Sequence, residues 1–226
     1  MALTAANVLT RVTDILQDAS YTRWTSAELV RWLNDARRDL LIRRPDLYAF
    51  TTVMSLTGGA KQSIPTDGDR FLDAIRNYAL DGVTPGAAVR IIEREVLDAA
   101  RPSWATETPA AAVKNFMFDE RSPKRFDVYP PVLANTNLEV VYSKPPTEIL
   151  PADTNIPLTE EGPYAVAIID YVCFRAYSKD AEYGGNASRA AAHYELYKTT
   201  IGEGDMRDVP SSPNSARVDA IPPRGG

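Results

Sequence analysis

Between Trp24 and Asp46 the chain reads WTSAELVRWLNDARRDLLIRRPD, and few segments leave a polypeptide less choice of conformation. Thr25 stands where its side chain can accept a bond from the first helical turn. Glu28, three residues on, can return one to the Thr25 amide, so the start is fixed reciprocally. Trp24 and Leu29 flank that pair as an apolar staple. Leu29, Trp32, Leu33, Ala36 and Leu40 then recur at spacings of three and four, which gathers one apolar stripe and turns Arg31, Asp35, Arg38 and Asp39 elsewhere. Arg43 and Arg44 lie at the negative end of the helix dipole, and Pro45 bars the residue before it from comfortable helical geometry. The segment therefore specifies one amphipathic, core-packed helix. Its arginines at 37, 38, 43 and 44 are expected to be solvated dipole partners or subunit-interface ion pairs.

A second helix precedes it, with Leu3-Thr4 as staple and cap and with Val8, Leu9, Val12, Ile15, Leu16 and Ala19 on one face. The short link at 20–23 implies that these two helices are antiparallel neighbours. From Ala49 to Ser143 the periodicity shortens to two, and turn formers divide the segment into strand-like runs. These are 50–56, 71–80, 89–92, 116–118, 125–129 and 138–142, with a short helix near 95–100. Gly58-Gly59 reads as a hairpin turn, and Asp81-Gly82 and Thr84-Pro85-Gly86 read as further turns. Pro145, Pro146, Pro151 and Pro157 mark an extended strap. Pro163 then opens an apolar helix through Tyr164, Ala167, Ile168, Tyr171 and Val172. Gly184-Gly185-Asn186 breaks it, and a last helix bearing Ala190, Tyr194, Tyr197 and Ile201 is expected to stop at Gly202 and form a hairpin with the one before. The fold class that follows is α+β. The N- and C-terminal helices (1–48 and 144–202) are expected to form an antiparallel α-helical bundle with an inserted small antiparallel β domain (49–143). An extended or disordered C-terminal arm (203–226), rich in Pro, Ser and Gly, would follow.

What the composition excludes narrows the function. Cys173, the one cysteine of 226 residues, lies in an apolar run and reads as core in a reducing compartment. His193, the one histidine, rules out a triad or a site needing several histidines and reads as a helix-surface residue. No phosphate-cradling or dinucleotide fingerprint appears, and no apolar run approaches a membrane span, so the chain reads as soluble and without an export signal. A formal charge of −5 disfavours binding to nucleic-acid phosphates. The best enzyme that can be assembled is a small metal-dependent nuclease using Asp119, Glu139 and Lys144, and its spacings fit no strict motif. No cofactor is expected.

Several stretches in shared order carry a resemblance. Besides Trp24 to Asp46 they are Phe71 to Asn77 with the two turns after it, Glu95 to Trp104 (EVLDAARPSW), Phe116 to Pro131 with its FDVYPP, and Tyr164 to Tyr183 ending AYSKDAEY. Together they resemble the tailed-bacteriophage head-to-tail adaptor (connector or head completion) family. The resemblance implies a structural, non-enzymatic virion protein at the neck, made in the host bacterial cytoplasm. It would form a dodecameric ring under the portal protein ring, extend the DNA channel and seat the downstream tail (nozzle or tail-tube) proteins. Genome DNA would pass through without specific binding, and acidic residues multiplied around a lumen would repel it. Another neck or tail-tube ring is the nearest alternative. In that context Met206, Val209, Pro210, Val218 and Ile221 in the arm are the candidate portal-binding residues, ordering on contact. Arg175, Lys179, Asp180 and Glu182 are the candidate subunit-interface residues, pairing between neighbours to set register or, equally, forming exposed pairs within one helix.

Overall fold

The computed structural model describes residues 3–158, 161–205 and 213, so the candidate portal-binding residues Met206, Val209, Pro210, Val218 and Ile221 lie outside the described residues. In chain order the elements are α1 (Ala5–Leu16), α2 (Ser26–Arg43), β1 (Ala49–Ser55), β2 (Gly59–Ser63), β3 (Arg70–Tyr78), β4 (Pro85–Ala88), β5 (Arg90–Ile91) and α3 (Arg94–Ala100). There follow β6 (Asn115–Phe118), β7 (Arg125–Val132), β8 (Asn137–Ser143), α4 (Ala165–Lys179) and α5 (Asn186–Asp205). The fold is α+β. It divides into two compact units, one made of 3–47 with 146–205 and the other chiefly of 48–145.

In the helical unit both N-terminal helices begin as their sequences dictate. Thr25 accepts from the Glu28 amide and Glu28 answers the Thr25 amide at 3.2 Å, while Thr4 and Asn7 make the same reciprocal box on α1. The stripe on α2 differs from the periodic reading at three residues. Trp32 is only half-buried, whereas Asn34 and Arg37 are buried beside Leu29, Leu33, Ala36 and Leu40. Helix α4 is buried on most of its surface, at Ala167, Ile168, Val172, Cys173 and Ala176, because α1, α2 and α5 all pack on it. Helices α1 and α2 are thus joined chiefly through α4 rather than to each other, a correction to the expected neighbour pair. A ladder of rings binds α5 to α4: Tyr197 on Tyr171, Tyr194 on Phe174 and His193 stacked on Tyr177 at 5.7 Å. Helix α5 also runs through Gly202 to Asp205, since a glycine weakens a helix without ending it when the following residues keep helical dihedrals.

Among the described residues the Pro-rich strap at 146–158 makes a single isolated bridge, Thr4 with Pro157, so its other polar groups are satisfied by side chains and by the start of α1. Buried Asn34 acts as a substitute peptide, donating to the Ile149 carbonyl at 2.8 Å and accepting from the Ile149 amide at 3.0 Å. The amides of Ala5 and Ala6 donate to Ile156 and Thr154, and that of Leu158 donates to Leu3.

In the β unit the strands form two four-stranded sheets, ordered β1-β8-β3-β4 and β2-β7-β6-β5. Strand β8 shows the alternation that its sequence carries: Leu138, Val140 and Tyr142 are buried and Glu139 and Val141 are not. Those side chains meet an aromatic core in which Phe71 stacks on Phe126 at 4.4 Å and touches Phe116 and Phe118. Two sequence readings change here. Gly58-Gly59 does not turn a hairpin; β1 pairs with β8 and β2 with β7, so the glycines carry the chain from one sheet to the other, with Gly59 at φ +107°. Nor is the unit wholly antiparallel: β5 and β6 run parallel, and α3 with the turn at Trp104 supplies the crossover that parallel strands require. That crossover has its own small core of Leu97, Trp104, Met117 and Ala60.

Phe71→Ala removes the ring at the centre of this core and is expected to cost about 3 to 5 kcal/mol in denaturant unfolding. A cost under about 1 kcal/mol would show that the core does not depend on it.

Candidate functional site

The residues singled out on α4 and after it lie at the end of the helical unit where the α1–α2 link meets the α4–α5 turn. Asp18 organises that link. Its carboxylate accepts from the amides of Trp24 at 3.0 Å and of Thr22 and Arg23 at 2.8 Å each. Those amides, Trp24 foremost, hold its pKa below the ordinary carboxylate value. Trp24, placed in this way, donates its indole N–H to the Ala176 carbonyl at 3.1 Å, satisfying one of the carbonyls that the last turn of α4 leaves without an intrahelical partner.

Around that anchor the charges pair across helices. Lys179 Nζ lies 2.6 Å from Glu28 Oε1, and this contact, ahead of the Thr25 bonds, lowers the Glu28 pKa. Arg23 Nε lies 2.6 Å from Asp180 Oδ2, with its guanidinium 4.3 Å over the Tyr183 ring. Arg175 reaches Asp35 at 3.7 Å and the Tyr171 hydroxyl at 3.4 Å. Glu182 is exposed and makes no ion pair among the described residues. Three of the four residues are therefore held in place by partners on other segments of the same chain. The pairing signal was absent from the sequence because the partners stand some 140 to 157 residues away. Beside them a polar cleft of about 420 Å³ is lined by Gln17, Asp18, Arg23, Tyr177, Asn186 and Arg189.

Two of the arginines assigned to a solvated face prove to be buried. Arg37, 4 % exposed, sets Nε 2.7 Å from Oε1 of fully buried Glu161 and donates to the Thr147 carbonyl at 2.6 Å. Arg44, 3 % exposed, grips Asp46 with two nitrogens at 3.0 and 2.6 Å and also bonds the Tyr164 hydroxyl. A bidentate fork such as the one on Asp46 suits arginine alone among the cations, and the two arginines tie α2 to the strap at Thr147 and to the turns at Asp46 and Tyr164. His193 likewise departs from the surface reading. Its Nδ1 lies 2.8 Å from Asp170 Oδ1, and both side chains are mostly covered. On α5 Tyr197 bonds Asp39, and burial raises its pKa. Cys173 is core as expected, its thiol pushed up to about 12 by burial.

The nuclease set is not assembled. Asp119, just past β6, pairs with Arg121 at 2.9 Å, Glu139 on β8 with Arg76 at 3.7 Å, and Lys144 with Asp67 at 2.7 Å, and β6 and β8 belong to different sheets. Among the described residues no three His, Cys, Asp or Glu side chains gather to hold a metal ion, and no helix is long and apolar enough to cross a membrane.

The geometry is thus a set of cross-braced helix ends and covered cores. A family model described as SU10 adaptor protein matches residues 3–218, nearly the whole chain. No curated protein matches it. The chain belongs to the SU10 adaptor protein family, a family of phage head-to-tail adaptors.

Two variants test the braces. Cutting the buried pair with Arg37→Ala strands the Glu161 carboxylate and is expected to cost about 3 to 5 kcal/mol of unfolding free energy. Asp18→Asn acts through pH. The native carboxyl titrates below its unfolded value, so its contribution is present above the unfolded pKa and is lost as pH falls through the native one. The variant should melt lower than the parent near neutrality, and the gap should close in acid; a gap that persists unchanged in acid would sink the assignment.

Proposed function

We propose that this adaptor-family chain is a non-enzymatic virion protein of the phage neck that forms a ring, taken to be dodecameric, beneath the portal ring. It extends the DNA channel there and seats the downstream tail proteins. The observation that carries the reading is the family match over residues 3–218, which runs through both units and into the arm beyond α5. That span contains Met206, Val209, Pro210 and Val218, and with Ile221 these are the proposed portal anchors. A formal charge of −5 on each copy suits a conduit that must not hold DNA.

Arg175, Lys179, Asp180 and Glu182 are proposed to face the neighbouring copy. Glu28, Arg23 and Asp35 support the reading by fixing where three of these charges stand, which lowers the entropy that ordering them at an interface would cost. A different neck or tail-tube ring is the second reading, separated from the first by which partner the chain joins. A nuclease is disfavoured because Asp119, Glu139 and Lys144 each bind a different partner.

Mixing the purified chain with its portal ring and measuring mass by light scattering tests both halves. The full chain should join the portal in many copies, and a truncation after Asp205, where α5 ends, should not. Binding to a tail-tube ring with none to the portal would transfer the chain to the second reading. Glu182→Lys should lose ring assembly at unchanged melting temperature. It is a cleaner probe than Lys179→Glu, which also removes the Glu28 contact within the chain.

A further inference from the structure

Among the described residues the β unit has four edge strands, and three of them are blunted. Strand β2 carries Lys61 and a register shift between Gly59 and Lys61. Strand β5 is two residues long and includes Arg90. Strand β4 opens with Pro85, which has no N–H, and is shifted in register against β3. Charges, prolines, bulges and shortness are the devices by which sheets keep their edges from pairing. Strand β1 has none of them. It is seven residues long (AFTTVMS), uncharged and proline-free, and it pairs with β8 in unbroken register from Ala49↔Ser143 to Ser55↔Asn137. None of its residues is buried.

The parity of its bonds can be worked out. Lys144 N donates to Tyr48 O at 2.9 Å, and Leu56 N donates to Thr136 O at 2.8 Å, so the even-numbered positions are the ones bonded to β8. Ala49, Thr51, Val53 and Ser55 then turn their N–H and C=O groups to the open side, and among the described residues nothing takes them up. The core-facing side chains of the strand are Phe50, Thr52 and Met54, opposite Tyr142, Val140 and Leu138. Phe50 remains 45 % exposed although its ring touches Tyr142.

We propose that β1 pairs with β1 of a second copy of this chain, antiparallel about a two-fold axis through Thr52. Full overlap of the strand with itself sets Thr52 against Thr52, Thr51 against Val53 and Ala49 against Ser55. Every outward odd-numbered amide and carbonyl then finds a partner, and Phe50 comes to lie beside Met54 of the second copy. A self-paired strand sets any charge near its centre close to its own duplicate, which costs energy, and β1 has no charge to oppose. The other edge of the same sheet is a poor alternative, since Pro85 offers no N–H there. A two-fold contact closes on itself and cannot propagate around a ring, so it belongs to the free chain before assembly and stands apart from the portal reading.

The experiment is sedimentation of the full chain alone over a wide concentration range. The mass should rise from 24.9 kDa toward twice that value. Val53→Pro deletes an outward amide while leaving the β8 ladder intact, so it should lose the dimer with an unchanged far-UV spectrum. Thr52→Cys should cross-link into a covalent dimer under mild oxidation, because opposed residues at such a position stand about 4.5 Å apart at Cα, within disulfide reach. Val53→Cys should not, its duplicate lying on the diagonal, and buried Cys173 does not compete. A chain that stays monomeric throughout, or a dimer that survives Val53→Pro with Thr52→Cys unlinked, overturns the proposal. It falls equally if Val53→Pro leaves self-association alone and abolishes portal attachment, for then the edge receives a strand of another protein.

Discussion

Helix α4 has almost no polar face to give to water, and the helical unit is organised around that fact. With Ala167, Ile168, Val172, Cys173 and Ala176 all at zero exposure, it must be wrapped, and α1, α2 and α5 are what wraps it. Its small residues let the neighbours approach closely, and its aromatic rings at 171, 174 and 177 give α5 a surface to key into. Burying a side chain such as Ile168 or Val172 is worth about 1.5 to 3 kcal/mol, so a few of them supply a share of stability comparable to the net margin of a small domain.

Burial of that kind leaves the rest of the unit with a backbone problem. The strap at 146–158 must cross apolar helices without a ladder, and the solution is to bring polar side chains inward to meet it. Asn34 replaces a strand at Ile149, Arg37 reaches the Thr147 carbonyl, and the same Arg37 neutralises Glu161. These polar groups bind segments that have no other reason to stay put.

What the sequence revealed follows from how local each cause is. The Thr25–Glu28 box, the stop at Pro45 and the alternation in β8 depend on residues a few positions apart, and each was legible. Gly58-Gly59 was misread because a glycine pair specifies permissive dihedrals and says nothing of which strands it joins. The parallel β5–β6 pair escaped for a related reason: a two-residue strand carries no periodicity, and its partner lies beyond α3. Arg37 and His193 read as surface residues because polar side chains of their kind are usually there, and their partners Glu161 and Asp170 become visible only when the helices are brought together; Arg44 has Asp46 two residues away, but its burial follows from the distant Tyr164. For Arg175, Lys179 and Asp180 the fixed positions set by Asp35, Glu28 and Arg23 were not readable, since those partners stand at the other end of the sequence.

The Lys144–Tyr48 backbone bond lies at the root of the β1–β8 pair. It brings together the two points where the chain leaves and rejoins the helices, so the whole of 49–143 hangs on a closed two-strand stem. To the helical unit such an insertion is thermodynamically a loop, and lengthening a loop costs only logarithmically. Everything beyond the stem can therefore lengthen or shorten at small entropic cost while the wrapped α4 scaffold persists.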